Sequence, residues 1–457
     1  MQVEKPEQDK VVIWIGPLFA ACIYYGPNSG KEIWFNDKDF PKDFTYKFMK
    51  WISGGLVMIN GEEHKETRKM MQEAFAPGSL SSYIYDMNKF SDQFVQKLQK
   101  LDQKSKKESN LLEKLDIYPL SELLFLDMAA KSTLGKSINA LKEPKNDMVS
   151  ATHTMTDYVI KRFFNPTMFF ETTLKIFHKD WFEKEEKGRK LIQKNIRKIV
   201  EWQREKIFDD KSTTTDEENS VDLKRDQKPN SLVNILLVGH QNGSISESSM
   251  IAQCGTIMFT GTDTTATAFS IIVWLLGLHR EWQQRIFNEI GEIFATDSED
   301  NDSTTTKFFI SYPNCKQRLP TLNAFITEAL RLYPVGPLST RNCKHNGKIP
   351  GLVTNIISYI SINRDPRYWD NPNTFDVTRF LDVEKMKNHK RFTNLPFSAG
   401  NRGCLGKTYA MQALLVSLSH LLHNFEVFSE VGEEEADFRL TLTLSPVNLF
   451  VRLKSRK

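Results

Sequence analysis

The sequence predicts a mainly α fold with a small β part, on three observations. Helical periodicity fills the middle of the chain, a long apolar run surrounds residue 260, and strand-like alternation is short and sits near the two ends. With 457 residues, 40% of them hydrophobic, the chain has material for a substantial core and reads as one domain over residues 1–457.

The elements follow in chain order. The first ten residues are polar, and the apolar run from Val11 to Tyr25 is about 15 residues, short of the roughly 20 that a membrane span needs. Its Gly, Pro and aromatic residues suit a strand and turn, beginning with VVIWIG at Val11, and neither a secretory signal nor a membrane anchor is visible. From Glu183 to Phe208, Ile192, Ile196, Ile199 and Trp202 recur at helical spacing against charged residues, the pattern of an amphipathic helix. The segments 209–230 and 296–307 are too polar to offset the cost of ordering and are expected to be surface loops. Ser246 to His279 reads as one helix about 50 Å long, with Ser246 as its N-cap. Two further strands are expected, at LVTNIISYISI from Leu352 and at FRLTLTL from Phe438. After Cys404, Leu405, Ala410, Leu414, Leu415, Leu418 and Leu422 mark an apolar helical face. There is no internal repeat.

Composition excludes some functions. The 61 basic and 57 acidic residues leave a formal charge of +4, which gives no global footprint for nucleic acid. Cys22, Cys254, Cys315, Cys343 and Cys404 are scattered, odd in number and without CxxC spacing, which disfavours a disulfide framework and a zinc site.

Chemistry concentrates in PFSAGNRGCLGKTYAM, Pro396 to Met411. Cys404 stands at the start of a helix, where unpaired amides and the positive dipole end stabilise a thiolate. Gly400, Gly403 and Gly406 let the backbone turn tightly and let something flat and bulky approach, and Arg402 adds a cation. A cysteine without such surroundings reads as a small core residue; this one reads as a ligand.

The pattern Phe397-x-x-Gly400-x-Arg402-x-Cys404-x-Gly406 resembles the haem-thiolate loop of the cytochrome P450 family. The resemblance implies that Cys404 is the axial iron ligand, that Phe397 packs near the sulfur and that Arg402 meets a haem propionate; a thiolate ligand favours O–O cleavage. Other segments match in the same order. Glu328-Ala-Leu-Arg331 places opposite charges three apart on one helix face, and with FDVTRF it resembles the family's Glu-x-x-Arg pair completed by Arg379, a structural trio. The run FTGTDTTATAF, Phe259 to Phe269, is a poor membrane span because Asp263 and five threonines would be costly in lipid. It resembles the family's oxygen-activating helix, which implies that Gly261 leaves room for dioxygen, Thr264 hydrogen-bonds it and Asp263 relays protons. His64-x-x-x-Arg68 aligns with a family Trp-x-x-x-Arg, so Arg68, Arg341 and, where the Trp is absent, His64 are the expected partners of the propionates.

The resemblance covers roughly Val11 to Lys454 and is strongest to animal microsomal forms near the fatty-acid omega-hydroxylase clan of family 4 type. Thr260 stands where some of that clan carry a Glu that bonds to haem, so the haem b is expected to be non-covalent; Val377 replaces a usual Pro and Asn363 a usual His. The implied function is a monooxygenase that takes electrons from NADPH through NADPH-cytochrome P450 reductase, with cytochrome b5 as a second donor, and oxidises a fatty acid, a terpenoid or steroid hormone, or a xenobiotic. A reductase-independent peroxide isomerase or dehydratase, and a haem-binding sink or sensor without turnover, are the alternatives. Lys65, Arg68, Lys69, Arg391 and Lys407 are expected to form a docking face for the acidic reductase. Leu56, Val57, Phe259, Thr260, Val335, Leu338, Leu444 and Val447 are the expected substrate walls. The resemblance also implies the cytoplasmic face of the endoplasmic reticulum membrane, contacted through apolar clusters such as Phe163 to Phe170.

Overall fold

The computed structural model describes residues 9–14, 19–43, 46, 54–108, 114–168, 171–209, 231–299, 308–343, 352–382, 392–441 and 443–456. Strand alternation near the N-terminus gives β1 (Lys10–Trp14) and β2 (Phe19–Tyr24), as expected. They join β4 (Leu338–Arg341) and β5 (Leu352–Ser358) in a sheet of order β1-β2-β5-β4, in which only β2 and β5 run parallel. The expected strand from Leu352 is cut short, because Ser358 caps a one-turn helix over Tyr359–Ile362. The C-terminal strand signal splits into β7 (Phe438–Leu440) and β8 (Leu444–Pro446), a two-stranded ribbon. A third sheet sets β3 (Leu115–Asp116) and β6 (Phe425–Ser429) on either side of β9 (Phe450–Ser455).

The core is helical. Its axis is α9 (Glu247–Leu278), 32 residues capped at Ser246, whose side chain accepts from Ser249 N. Apolar residues occur all round this helix, so it is buried on nearly every side rather than along one stripe. It is the one described helix long and apolar enough to cross a membrane, and its apolar window is 83% buried inside the fold. Around it pack α3 (Pro77–Glu108), α4 (Tyr118–Leu134) and α14 (Lys407–Asn424), with Phe269 wedged edge-on between Phe94 and Phe125. At the far end Gly277 lets α9 touch β6: a Cβ there would lie 2.6 Å from Ser429 N.

The amphipathic helix in the middle is α7, Lys179–Asp209, with Ile192 and Ile196 fully buried and the charged face outward. It packs on α5 (Asp147–Phe164), to which the buried Arg162–Glu185 pair ties it at 3.0 Å. Residues 210–230 of the first expected loop, and 300–307 of the second, lie outside the described residues. The second loop begins later than its polarity suggests: α10 runs from Arg280 to Glu299, because a helix already formed extends through polar residues at its end. The Phe side chains of the cluster 163–170 also lie outside the described residues; its Met168 is buried.

Candidate active site

Cys404 is presented by a chain of local bonds. Ser398 N donates to Leu395 O, Cys404 N to Phe397 O at 2.9 Å, and Gly403 N to Gly400 O, closing the segment into a tight 3-10 turn over Gly400–Arg402 before α14 begins at Lys407. Gly400 is required there. Its φ is +69°, and a Cβ would fall 2.0 Å from Trp34 O of α1 (Pro27–Phe35).

The segment leading to this loop is locked by the expected trio. Glu328 and Arg331, on α12 (Pro320–Leu332), are fully buried and doubly bonded at 2.6 and 2.8 Å. Arg379 Nε lies 3.4 Å from Glu328 Oε1, and Asp376 N donates to the same oxygen. The rest of the Arg331 guanidinium donates to the carbonyls of Asn363, Pro372 and Thr374. The side chain of Asn363 accepts from Leu395 N at 2.7 Å, so the residue that replaces a His carries the lock on to the cysteine loop. Val377 is fully buried.

The thiol of Cys404 faces a cavity of about 360 Å³, within the range of roughly 300–1,000 Å³ typical of small-molecule sites. Opposite the cysteine, α9 contributes Thr256, Ile257, Thr260, Gly261, Thr264, Thr265 and Ala268, a stripe of period 3.6. Phe259 and Asp263 fall off the edge of this stripe and do not line the cavity. Phe259 is core, which corrects its expected place on the substrate wall. Leu444 and Val447 are also absent from the lining: Leu444 donates its amide to Val335 O and so supports the wall from behind, while Val447 is exposed. Leu56, Val57, Thr260, Val335 and Leu338 do line it.

Thr264 exposes its side chain to the cavity although its helical neighbours Asp263 and Thr265 are buried, and its hydroxyl donates to Thr260 O at 2.6 Å. Asp263 turns the other way, accepting from Tyr118 OH at 3.0 Å; burial raises its carboxyl above the usual range, opposed by hydrogen bonds from Tyr118 and Thr443. Gly261 meets only Ala129 Cβ, at 3.5 Å from where its own Cβ would be.

One rim of the cavity is strongly basic. Arg341 and Arg402 are buried, Arg68 and Lys42 line the same rim, and His64 sits among them. Arg402 donates to Ile59 O at 2.7 Å and Asn60 Oδ1, and its Nε lies 3.6 Å from Asp37. Burial, then the charges of Arg341 and Arg68 against that of Asp37, brings Arg402 down to about 10. Burial likewise pushes the Lys42 ammonium well below its usual range, reinforced by Arg341 and Arg402. His64 is held at about 3 by burial, Arg402 and Arg68, so it is neutral at pH 7, and its Nδ1 has no partner. Sequence reasoning missed Lys42, which no motif marks, and also the cavity-lining Phe75 and Tyr409.

This rim tests the fit of a haem. Three arginines, a lysine whose ammonium is disfavoured by burial and by two of them, and a neutral histidine with an orphaned ring nitrogen face one acid among the described residues, Asp37, so the rim favours anionic groups, and two propionates would supply them. The soft ligand stands on the floor of the same cavity. Burial pushes the unligated Cys404 thiol up, against the pull of Gly406 N–H, Arg68 and Lys407, so the helix terminus alone does not make the thiolate expected from the sequence; a bound metal ion deprotonates a coordinating thiol outright. The residues fit the group.

The docking face is altered in one respect. Arg68 points into the cavity, Arg391 lies outside the described residues, and Lys65, Lys69 and Lys407 are exposed, Lys65 being bonded to Glu62.

Known proteins are similar to this chain in sequence and in fold. The family model described as Cytochrome P450 matches residues 7–452. Cytochrome P450 4V2 of Homo sapiens is 26% identical over 454 residues, covering 97% of this chain and 82% of that protein. Cytochrome P450 4d2 of Drosophila melanogaster is 28% identical over 394 residues, 84% of this chain and 75% of that protein. Cytochrome P450 4F4 of Rattus norvegicus is 26% identical over 431 residues, 92% and 78% respectively. Among solved structures, the heme domain of cytochrome P450DA superposes with a TM-score of 0.77 at 16% identity, over 98% of this chain and 90% of that one, a likeness of fold.

Proposed function

The chain belongs to the cytochrome P450 family, a haem-thiolate monooxygenase family, and from that premise we propose that it inserts one atom of dioxygen into a lipophilic substrate with electrons from NADPH through NADPH-cytochrome P450 reductase. The observation that carries this reading is the Cys404 thiol facing the Thr264 hydroxyl across a cavity whose rim holds three arginines and Lys42. Haem b, bound through the Cys404 thiolate, supplies the redox chemistry that activates dioxygen.

The residues do the rest. Gly406 N–H hydrogen-bonds the sulfur and Phe397 walls it off. Arg68, Arg341, Arg402 and Lys42 would hold the propionates, and neutral His64 would have one N–H to donate to them. Thr260, a hydroxyl already bonded to Thr256 O, leaves the haem without a covalent tie. Gly261 keeps the α9 wall low. Thr264 gives its hydrogen to Thr260 O, so its oxygen lone pairs are free to accept a proton donor on the cavity side. Asp263, the next residue on the helix, has its carboxyl raised by burial, which favours its taking up a proton there.

The walls Leu56, Val57, Val335 and Leu338 are apolar, which suits a fatty acid, a terpenoid or a steroid. Val11, Val12, Ile13 and Trp14 of β1, with Ile176 and Phe177 of α6 (Glu171–Phe177), are exposed apolar residues that support peripheral contact with the cytoplasmic face of the endoplasmic reticulum membrane. The test is oxygenation of lauric acid by the reconstituted protein. Hydroxylated product that requires NADPH, reductase and oxygen together is expected; conversion of a fatty-acid hydroperoxide without reductase, and no hydroxylation with it, would contradict the reading.

A further inference from the structure

Asp263 turns its back on the cavity, and what it meets there is a row of titratable groups that leads to the surface. Tyr118 OH lies 3.0 Å from Asp263 Oδ1 and 3.2 Å from Glu122 Oε1, one turn further along α4. Glu122 Oε2 lies 3.6 Å from Nδ1 of His153 on α5. Exposure rises outward along this row: Asp263 is buried, the Glu122 side chain is 15% exposed and that of His153 is 47% exposed.

The arrangement has a proton count built into it. Tyr118 has one hydroxyl hydrogen and two carboxyl oxygens within reach, so it donates to only one of them at a time. The contact is fully satisfied when a second proton sits on a carboxyl. The groups facing Asp263 are Tyr118 from α4 and Thr443 from the turn before β8, both neutral donors, and no cation pairs with it among the described residues. Burial, followed by the charges of Asp263 and Glu122, holds the Tyr118 phenol far above its ordinary range, so it conducts as a neutral hydroxyl and never as a phenolate.

We propose that His153, Glu122 and Tyr118 form the route by which protons from solvent reach Asp263. The inference rests on the monooxygenase reading for its purpose, since each turnover consumes protons inside a closed site. A proton taken from water by His153 passes to Glu122 Oε2, across a gap closed by a small side-chain movement or one bridging water. After a half-turn of the carboxyl, Glu122 donates to the Tyr118 oxygen while the Tyr118 hydroxyl hydrogen passes to Asp263 Oδ1. Tyr118 remains a neutral phenol, its new hydrogen on the Glu122 side until the hydroxyl rotates back; one proton has moved from solvent to Asp263, and no electron has moved. These are relay residues: none of the three lines the cavity.

The test reads the carboxyl directly. Infrared absorption after a pH jump follows protonation of Asp263 in the full chain, with the band assigned by its loss in Asp263→Asn. Tyr118→Phe, which keeps the ring, is expected to slow protonation on the order of tenfold or more, and Glu122→Gln to do the same. In reconstituted turnover Tyr118→Phe should divert electrons to hydrogen peroxide and raise the solvent deuterium isotope effect. Wild-type protonation rates in Tyr118→Phe overturn the route. If Tyr118→Phe fails to fold, Glu122→Gln and the surface variant His153→Ala decide by the same criterion. A wild-type protein that lacks the thiolate carbon monoxide band would end the monooxygenase reading, while the infrared rates would still decide the route.

Discussion

His64 stands where the family pattern has Trp, and its chemistry follows from its neighbours. Burial, then the positive charges of Arg402 and Arg68, holds it at about 3, far below the ordinary value of about 6.5. The unfolded chain therefore takes up a proton at this residue as pH falls through about 6.5, while the folded chain does not until near 3. Between these values the unfolded state is favoured, and stability falls with pH. In the cofactor-free protein, stability lost between pH 7 and pH 5 should be about 2 kcal/mol smaller in His64→Asn than in wild type, read from urea unfolding at the two values. Identical losses would show that His64 is not held neutral. At this scale the sequence was informative wherever a place on the cavity is marked by a short contiguous pattern, as with Cys404, Arg402, Arg68 and Thr264. It was silent on Lys42, which reaches the propionate rim through an isolated bridge to Arg341 and has no local signature. The direction of Asp263 was also beyond it, since one step of 100° along a helix separates the cavity face from its flank.

Helix α12 depends on a charge pair that has no solvent to relax into. Glu328 and Arg331 are fully buried, and the guanidinium also gathers three carbonyls from the segment that leads to the cysteine loop. Breaking a buried pair leaves its partner uncompensated, at a cost of about 3–5 kcal/mol. Arg331→Ala should lose that much unfolding free energy and, with the loop untied, fail to retain cofactor; a loss under about 1 kcal/mol would show that the lock is dispensable. Glu-x-x-Arg spacing was enough to place the pair on one helix face, but its burial and the third member came from tertiary contacts. The same limit explains the element boundaries. Ser358 could not be recognised as a cap within a strand-like run, and the β7–β8 split turns on Thr441 and Thr443: Thr441 N donates to Thr443 O at 2.8 Å and Thr443 N to Thr441 Oγ1 at 3.2 Å. Leu444 and Val447 were expected on the wall, and the register of the β7–β8 ribbon turned them away from it.

For the molecule as a whole, α9 and the α14 loop face each other across the cavity because their apolar surfaces bury one another, and the basic rim closes a third side. The helical core, the long central helix and the thiol at its partner's N-terminus were all legible as periodicity and motif. The convergence of Lys42, His64, Arg68, Arg341 and Arg402 from separate segments was legible only in part, because it depends on how three elements dock. The central claim is that Cys404 holds a haem as its thiolate ligand, and the carbon monoxide difference spectrum of the reduced protein tests it most directly. A strongly red-shifted Soret band in wild type, lost in Cys404→Ser, is the result expected. A reduced, haem-loaded wild-type protein without that band, or one that keeps it in Cys404→Ser, would contradict the account.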